Sequence, residues 1–378
     1  MNDEISNIHI AALVSYKVFP AKMGGQKGIA FFYSFLARIV PVTIITTRNN
    51  DLPTEPKINF LRLLGNSSLR YIDPLLFFKI KRILKENKCT HLVIEHPYYG
   101  WLGILLKLFS DIKLVVHSHN IESERFKSNG KWWWQILWQY EKITYRKADI
   151  NFFISEEDRE FAINNYKVEP EISHTITYGF ERNLATSINE KRVSRKLLQS
   201  LHPIDDHDKI LLFNGTLDYK PNLDAVEAIL MQINPLLLQQ DNNYKIIICG
   251  KALPLQYLEL KSYATQNIIY AGFVDDINVY FKGADIFINP VTDGGGIKTK
   301  LVEALGYGLS CVSSASGAIG VPVHITGKKL FVVNDNDWIS FANAIMNIDI
   351  QEVIPQSFYD HFYWGSIAQK VKRILSGT

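Results

Sequence analysis

Short, almost wholly apolar runs alternate along this chain with longer stretches in which apolar residues recur at helical spacing. The first runs are Ile8 to Tyr16, Val42 to Thr47, His91 to His96, Lys113 to His119 and Asp149 to Ser155. A run apolar at both alternations reads as a strand covered on both faces, and the helical stretches between supply the covers. The pattern predicts parallel β-α-β units of Rossmann type. Between Arg182 and Asp208 it lapses into a polar, charged segment. A fresh series follows at Lys209 to Leu217, Tyr244 to Gly250, Asn267 to Val274, Ala284 to Pro290, Leu309 to Ser314 and Lys329 to Val333. The chain therefore reads as α/β, with two Rossmann-like domains facing each other across a cleft. The expected spans are 1–185 and 205–355, then a helix over 356–378 with Trp364, Ile367, Val371, Ile374 and Leu375 at helical spacing, crossing back to the first domain.

Length and composition support that division. At 378 residues and 47% hydrophobic content, the chain is long enough for two domains that each bury a core. The formal charge of +3 is mild and its lysines and arginines are dispersed, so no nucleic acid partner is expected. Cys89, Cys249 and Cys311 are widely separated, which fits buried reduced thiols better than a disulfide framework or a zinc site. No stretch reaches the roughly 18 apolar residues of a spanning helix, and the polar start Met1 to Ser6 gives no secretion signal. A cytoplasmic protein is expected.

Candidate chemistry concentrates in Asp293-Gly294-Gly295-Gly296-Ile297-Lys298-Thr299-Lys300-Leu301-Val302-Glu303, between the apolar run ending at Pro290 and the next one. A strand feeding three glycines and then a helix start leaves backbone N–H groups aimed into a gap without side chains, which suits an anionic phosphate. The lysines add charge. Glu303 is a carboxylate in an otherwise apolar helix and is suited to ligand hydroxyls. The segment reads as the site of a phosphate-bearing, hydroxyl-rich ligand.

The run 284–290, the glycines and lysines to Ala304, and Gly308 resemble the donor-site signature of glycosyltransferase family 4, retaining sugar transferases of the GT-B fold. Gly24-Gly25 resembles the family's N-terminal glycine loop. His119-Asn120-Ile121-Glu122-Ser123-Glu124-Arg125-Phe126 is similar to a motif of one branch, and Ser155-Glu156-Glu157 to the start of a later helix. Phe213-Asn214-Gly215 through Lys220-Pro221-Asn222 resembles the first strand and loop of the donor domain, and Gly272-Phe273-Val274 its nucleobase wall. The resemblance implies a nucleotide-diphosphate sugar donor held by the C-terminal domain, a glycan or lipid-linked acceptor held by the N-terminal domain, transfer with retention, no cofactor and no obligatory metal. It implies donor contacts at Gly24, Gly25, Asn214, Gly215, Lys220, Gly250, Lys251, Phe273, Val274, Asp293, Gly294, Gly295, Gly296, Ile297 and Thr299, and catalytic roles for His119, Lys298 and Glu303.

Two positions depart from the family pattern. Members usually carry a pair of glutamates with seven residues between them; Glu303 fits the second, but the first position is Gly295. The Arg and Lys that usually grip the diphosphate fall on Thr216 and Pro221, with Lys220 one residue out of register. Lys298, at the helix start beside the glycines, is expected to supply that charge. Glu95, His96, Tyr98 and Tyr99 end another strand, where a carboxylate, an imidazole and two phenols could read an acceptor; Glu122 is grouped with them. Asp275-Asp276 reads as a helix cap rather than a metal site. Lys131-Trp132-Trp133-Trp134 and Phe77-Phe78-Lys79-Ile80-Lys81-Arg82 combine aromatic and basic residues as interfacial helices do, so peripheral contact with the inner face of the cell membrane is expected. Alternatives are a sugar-nucleotide epimerase of the same fold, needing carboxylates in its cleft, and a non-catalytic sugar-nucleotide-binding partner of another transferase.

Overall fold

The structure is a computed structural model that describes residues 8–21, 24–52, 57–240, 243–294 and 296–377. The chain divides into two compact units, one running to Glu181 and resuming at Trp364, the other spanning Arg182–Tyr363.

The first unit is built on seven parallel strands: β1 (Ile10–Val14), β2 (Val42–Thr47), β3 (Ile58–Leu64), β4 (His91–Glu95), β5 (Lys113–Ser118), β6 (Ile150–Phe153) and β7 (Ser173–Thr175), in spatial order β3-β2-β1-β4-β5-β6-β7. Five of these match apolar runs in the sequence. The other two, β3 and β7, were not anticipated: β3 lies at the sheet edge with an interrupted burial pattern, and β7 has only three residues. Ala11 lies opposite Thr43 on one side and Leu92 on the other, which fixes the central register.

Alternation along the strands sorts the covering helices. Ala11, Leu13, Leu92, Ile94, Leu114 and Val116 share one core with residues of α2 (Leu75–Glu86), α3 (Gly100–Phe109) and α5 (Trp134–Lys147). On the opposite face, Phe32 of α1 (Gly24–Leu36) meets His117 with ring centroids 4.8 Å apart. The terminal helix Trp364–Ser376 packs against α1. Its first residue is anchored twice: Trp364 N–H donates to Phe180 O at 3.0 Å, and its indole lies so close to Gly179 that a Cβ there would sit 2.7 Å from Cε2 and Cε3.

The second unit holds β8 (Lys209–Asn214), β9 (Tyr244–Cys249), β10 (Ile268–Gly272), β11 (Ile286–Asn289), β12 (Ser310–Ser314) and β13 (Leu330–Val333), all parallel, in order β10-β9-β8-β11-β12-β13. All six correspond to apolar runs in the sequence. The unit begins well before residue 205, because the polar stretch after Arg182 contains the helix Ile188–Leu201. Ser187 and Glu190 close a reciprocal capping box, each side chain accepting from the other's backbone N–H. Arg195 and Lys191 then pair with Asp285 at 2.7 and 2.8 Å, one residue before β11. The helix has a narrow apolar face, with Leu198 fully buried, which is why the apolar pattern lapses there. The helix Gln356–Phe362 also belongs to this unit, and only Trp364 onward joins the first.

Both sheets reverse direction beside their first strand: between β1 and β4, and between β8 and β11. Ligands of doubly wound sheets bind outside the carboxyl ends of the strands at that reversal. The loops after β1, β4, β8 and β11 are therefore the ones the fold opens to a ligand. Cys89, Cys249 and Cys311 are buried and unpaired, and burial pushes the first two thiols up to about 11 and about 12.

Replacing Gly179 with alanine drives a methyl into the Trp364 indole and is expected to destabilise the first unit by about 1–3 kcal/mol, the range of overpacking substitutions. Denaturant unfolding followed by tryptophan fluorescence measures it; an unchanged midpoint would contradict the contact.

Candidate functional site

At the reversal of the second sheet, glycine permits backbone to meet backbone. A Cβ on Gly250, after β9, would collide with the Gly215 carbonyl and lie 2.8 Å from Leu217 Cγ. Gly215 N–H donates to Cys249 O at 3.0 Å and Gly250 N–H to Gly272 O at 2.7 Å, so the ends of β8, β9 and β10 are laced together. Beside them Phe273 is 72% exposed and Val274 partly so, while Lys251 is exposed and its carbonyl accepts from Leu217 N–H at 2.9 Å. Asp276 caps the next helix by accepting from Asn278 N–H at 2.9 Å.

The loop after β11 carries the glycine signature. Buried Asn289 ends the strand and donates to Ser313 Oγ at 3.0 Å and Gly317 O at 2.9 Å, which fixes where the loop departs. Gly294 and Gly296 take φ of 92° and 71°, a region that strains any residue with a Cβ, so glycine is required at both. Gly295 lies outside the described residues. Asp293 accepts from Gly294 N–H at 2.6 Å and so closes its own turn. Ile297 packs against Gly320, where a Cβ would lie 3.0 Å from the isoleucine Cβ. Lys298 occupies the cap of the helix Thr299–Tyr307, and its ammonium donates to the carbonyls of Gly294 and Gly296. It thus stitches together the loop it was expected to charge.

The cation that reaches across the reversal is Lys300. Its Nζ donates to Asn214 O at 3.2 Å and Asn222 Oδ1 at 2.9 Å and lies 4.5 Å from the Phe213 ring centroid. Burial, with the nearby Lys298 charge, pushes its pKa down from the usual lysine range to about 7. Sequence spacing gave no signal for this role, because the contact joins residues 86 apart along the chain. Glu303 lies one turn further along the same helix, partly exposed. Lys220, by contrast, extends into solvent and pairs with Asp224 at 2.6 Å. Lys300, Asn214 and the glycine loop are brought together; Lys220 stands apart from them.

The first unit assembles a second cluster at its own reversal. Buried Glu95, the last residue of β4, accepts from Tyr33 Oη at 2.5 Å, from His117 Nδ1 at 3.1 Å and from His119 Nε2 at 2.6 Å. Burial works against its charge, but the His117 and His119 contacts outweigh it and hold Glu95 well below the usual carboxylate range. Burial and the His117 charge push His119 down to about 4 against the pull of Glu95, so its imidazole is neutral at neutral pH. With Nε2–H donated to Glu95, the Nδ1 lone pair of His119 faces away as an acceptor. His96, held at φ 63°, lies against His119 with centroids 4.7 Å apart and rings tilted by 30°, and its Nε2 lies 3.1 Å from Tyr16 Oη.

Glu122, at the start of α4 (Glu122–Ser128), is likewise buried. It accepts from Tyr98 Oη at 2.7 Å and from Arg125, with His96 Nδ1 at 3.4 Å. Burial opposes its ionisation, but His96, Tyr98 and Arg125 prevail and hold it at about 2. Tyr99 is buried, with its hydroxyl donating to Arg70 O at 3.2 Å. Of the five residues expected to read an acceptor, only Tyr98 is more than marginally exposed. The two carboxylates orient imidazoles and a phenol, because a carboxylate buried inside the fold must be satisfied by neighbours. At α1, the helix begins at Gly24, and a Cβ on Gly25 would meet nothing within 4 Å.

Glu95, His117 and His119 could each offer one ligand atom to a metal ion, all within 4.8 Å. The 2.6 Å separation of Glu95 and His119 is a hydrogen-bond length, shorter than the about 3.3 Å between two ligands on one tetrahedral zinc. These residues are arranged to share protons.

Comparison with known proteins identifies the family. Residues 33–183 match the family described as Glycosyltransferase Family 4, and residues 208–348 match Glycosyl transferases group 1. An uncharacterised 44.6 kDa protein of the cps region of Klebsiella pneumoniae is 28% identical over 77% of this chain and 71% of its own. The O-antigen biosynthesis glycosyltransferase WbnH of Escherichia coli is 26% identical over 72% of this chain and 71% of its own. The crystal structure of Anabaena HepE in complex with UDP superposes with a TM-score of 0.71 at 17% identity, covering 98% of this chain and 100% of that one. Two successive family matches that take in both sheets, on two Rossmann-like units, lead to one assignment: the chain belongs to the group 1 glycosyltransferases and has their GT-B fold.

Proposed function

We propose that this glycosyltransferase moves a sugar, with retention and without a metal ion, from a nucleoside-diphosphate sugar to a glycan or lipid-linked glycan at a membrane surface, in the assembly of a surface polysaccharide. The observation that carries the donor reading is the Lys300 bridge to Asn214 beside a loop whose Gly294 and Gly296 need positive φ. A pyrophosphoryl group is the ligand that a side-chain-free loop, a helix N-terminus and a cation serve together. The pathway reading rests on WbnH, whose name assigns it to O-antigen biosynthesis.

In this reading the C1–O bond to the diphosphate breaks as the acceptor oxygen bonds to C1 on the same face, and the acceptor's proton passes to the departing diphosphate. Negative charge grows on the leaving group, so a fixed cation there lowers the barrier. Lys300 is that cation, Lys298 holds the loop in shape through the Gly294 and Gly296 carbonyls, and Glu303 takes ribose hydroxyls. His119 supplies a neutral acceptor nitrogen toward the sugar, oriented by Glu95. The epimerase alternative loses ground because the buried carboxylates Glu95, Glu122 and Glu141 of the first unit are already engaged by protein donors.

A lysine whose free-state pKa is about 7 is charged below that pH and loses its proton above it. Affinity for a nucleoside diphosphate is therefore expected to fall as pH rises through about 7 and above. Titration calorimetry of wild type beside Lys300→Arg, which stays protonated, separates this loss from titration of the ligand. Lys300→Ala is expected to weaken binding by about 10–100-fold, the span of one charge-assisted hydrogen bond, and Lys298→Ala by less. Identical pH profiles for wild type and Lys300→Arg would remove Lys300 from the site. For the reaction itself, transfer is expected to proceed in EDTA, with proton NMR showing the donor's anomeric configuration in the product. An inverted product, or a requirement for added Mg²⁺ or Mn²⁺, would contradict the mechanism.

A further inference from the structure

The outer face of α2 and α3 is apolar where a water-facing surface is ordinarily polar. Leu76, Ile80 and Leu84 of α2, with Leu102 and Leu106 of α3, point into the core of the first unit, and Phe77 and Phe109 meet edge to face with centroids 5.9 Å apart. The two helices therefore lie side by side, and what remains outward is legible from their spacing. On α2 the outer residues are Leu75, Phe78, Lys79 and Arg82; on α3 they are Leu105, Leu108 and Phe109. Phe78 and Leu108 are each 68% exposed and Phe109 61%. Ile72, in the short turn Ser68–Ile72 before α2, adds a further exposed apolar side chain. The transferase chemistry proposed above uses none of them.

Charge decides what covers this face. Lys79, Lys81 and Lys85 are exposed on α2, and no carboxylate lies within ion-pair distance of them among the described residues. Arg82 pairs with Glu86 and Lys107 of α3 with Asp149. An apolar strip bordered by unneutralised ammonium groups is the pattern of a helix lying in the headgroup region of an anionic bilayer. A second copy of this chain is a poor occupant, because a two-fold contact would set Lys79, Lys81 and Lys85 near their own copies. No described helix is long and apolar enough to cross a membrane, so any attachment through described helices is lateral.

We propose that the α2–α3 face is a membrane-docking surface that lies in the interface of a bilayer rich in anionic lipid. Ile72, Leu75, Phe78, Leu108 and Phe109 enter the acyl boundary, and Lys79, Lys81 and Lys85 meet the headgroups. The surface stands on its own residues, and its purpose, bringing the first unit to a lipid-linked acceptor, rests on the acceptor reading given above. Trp132, 82% exposed in the connection between α4 and α5, belongs to neither α2 nor α3 and serves as the control.

Flotation of the full chain with phosphatidylcholine vesicles, with and without about one-third phosphatidylglycerol, tests this. Binding is expected with the anionic vesicles and little with the neutral ones. Phe78→Ser with Leu108→Ser should abolish flotation, Lys79→Glu with Lys81→Glu should weaken it at least about tenfold, and Trp132→Ser should leave it near wild type. Circular dichroism and nucleoside-diphosphate affinity of each variant should match wild type, so a failed membrane reading and a failed donor reading give different results. No flotation of wild type, flotation insensitive to the α2–α3 substitutions, or loss only with Trp132→Ser would overturn the proposal. So would a dimer in sedimentation that the Phe78→Ser, Leu108→Ser variant dissolves, since the face would then belong to a second copy.

Discussion

One contact organises the carboxyl end of the second sheet: the Lys300 ammonium reaching from the helix after β11 to the carbonyl of Asn214 at the end of β8. These two strands are neighbours because the sheet starts at β8, builds outward through β9 and β10, and then returns to its first strand. The return leaves the carboxyl ends of β8 and β11 side by side with their loops diverging, and glycines at 215, 250, 294 and 296 keep those loops free of side chains where backbones crowd or φ is positive. Burial first, and the Lys298 charge beside it second, cost the Lys300 cation part of its preference for the charged state, and the diphosphate proposed as its ligand would restore that preference.

The first unit solves a different problem on the same topology. Its reversal between β1 and β4 is filled by protein side chains: two buried carboxylates, three histidines and several phenols. Glu95 and Glu122 are ionised inside the fold because each collects several hydrogen bonds, and in return they fix the rings of His119, His96 and Tyr98. Substituting either carboxylate would leave its partners buried without an acceptor, a larger disturbance than the loss of one contact.

The sheets were legible in the sequence because strands covered on both faces read as short runs with few charged residues, and eleven of the thirteen strands lie in such runs. The exceptions have physical causes. In β3 an edge position leaves Asn59 and Arg62 exposed and breaks the apolar run, and β7 is too short to form one. The helix Ile188–Leu201 was hidden in a polar, charged stretch because it is tied down by Arg195 and Lys191 on Asp285 and buries little besides Leu198. The glycine loop was legible because positive φ selects its residue. The division of labour between Lys298 and Lys300 was not, since two lysines two positions apart carry the same charge in a sequence and differ only in which carbonyl each can reach. Nor could spacing reveal that Glu95 and Glu122 turn inward, because strand ends and helix starts supply buried and exposed carboxylates alike.

Hydrogen exchange of the full chain, with and without saturating UDP, GDP, ADP or dTDP, tests the central claim most directly. At least one of these ligands is expected to slow exchange in the two segments 212–222 and 290–303 together, since both border the Lys300 bridge. Protection confined to the first unit, or absent from both segments with every nucleotide, would contradict the account.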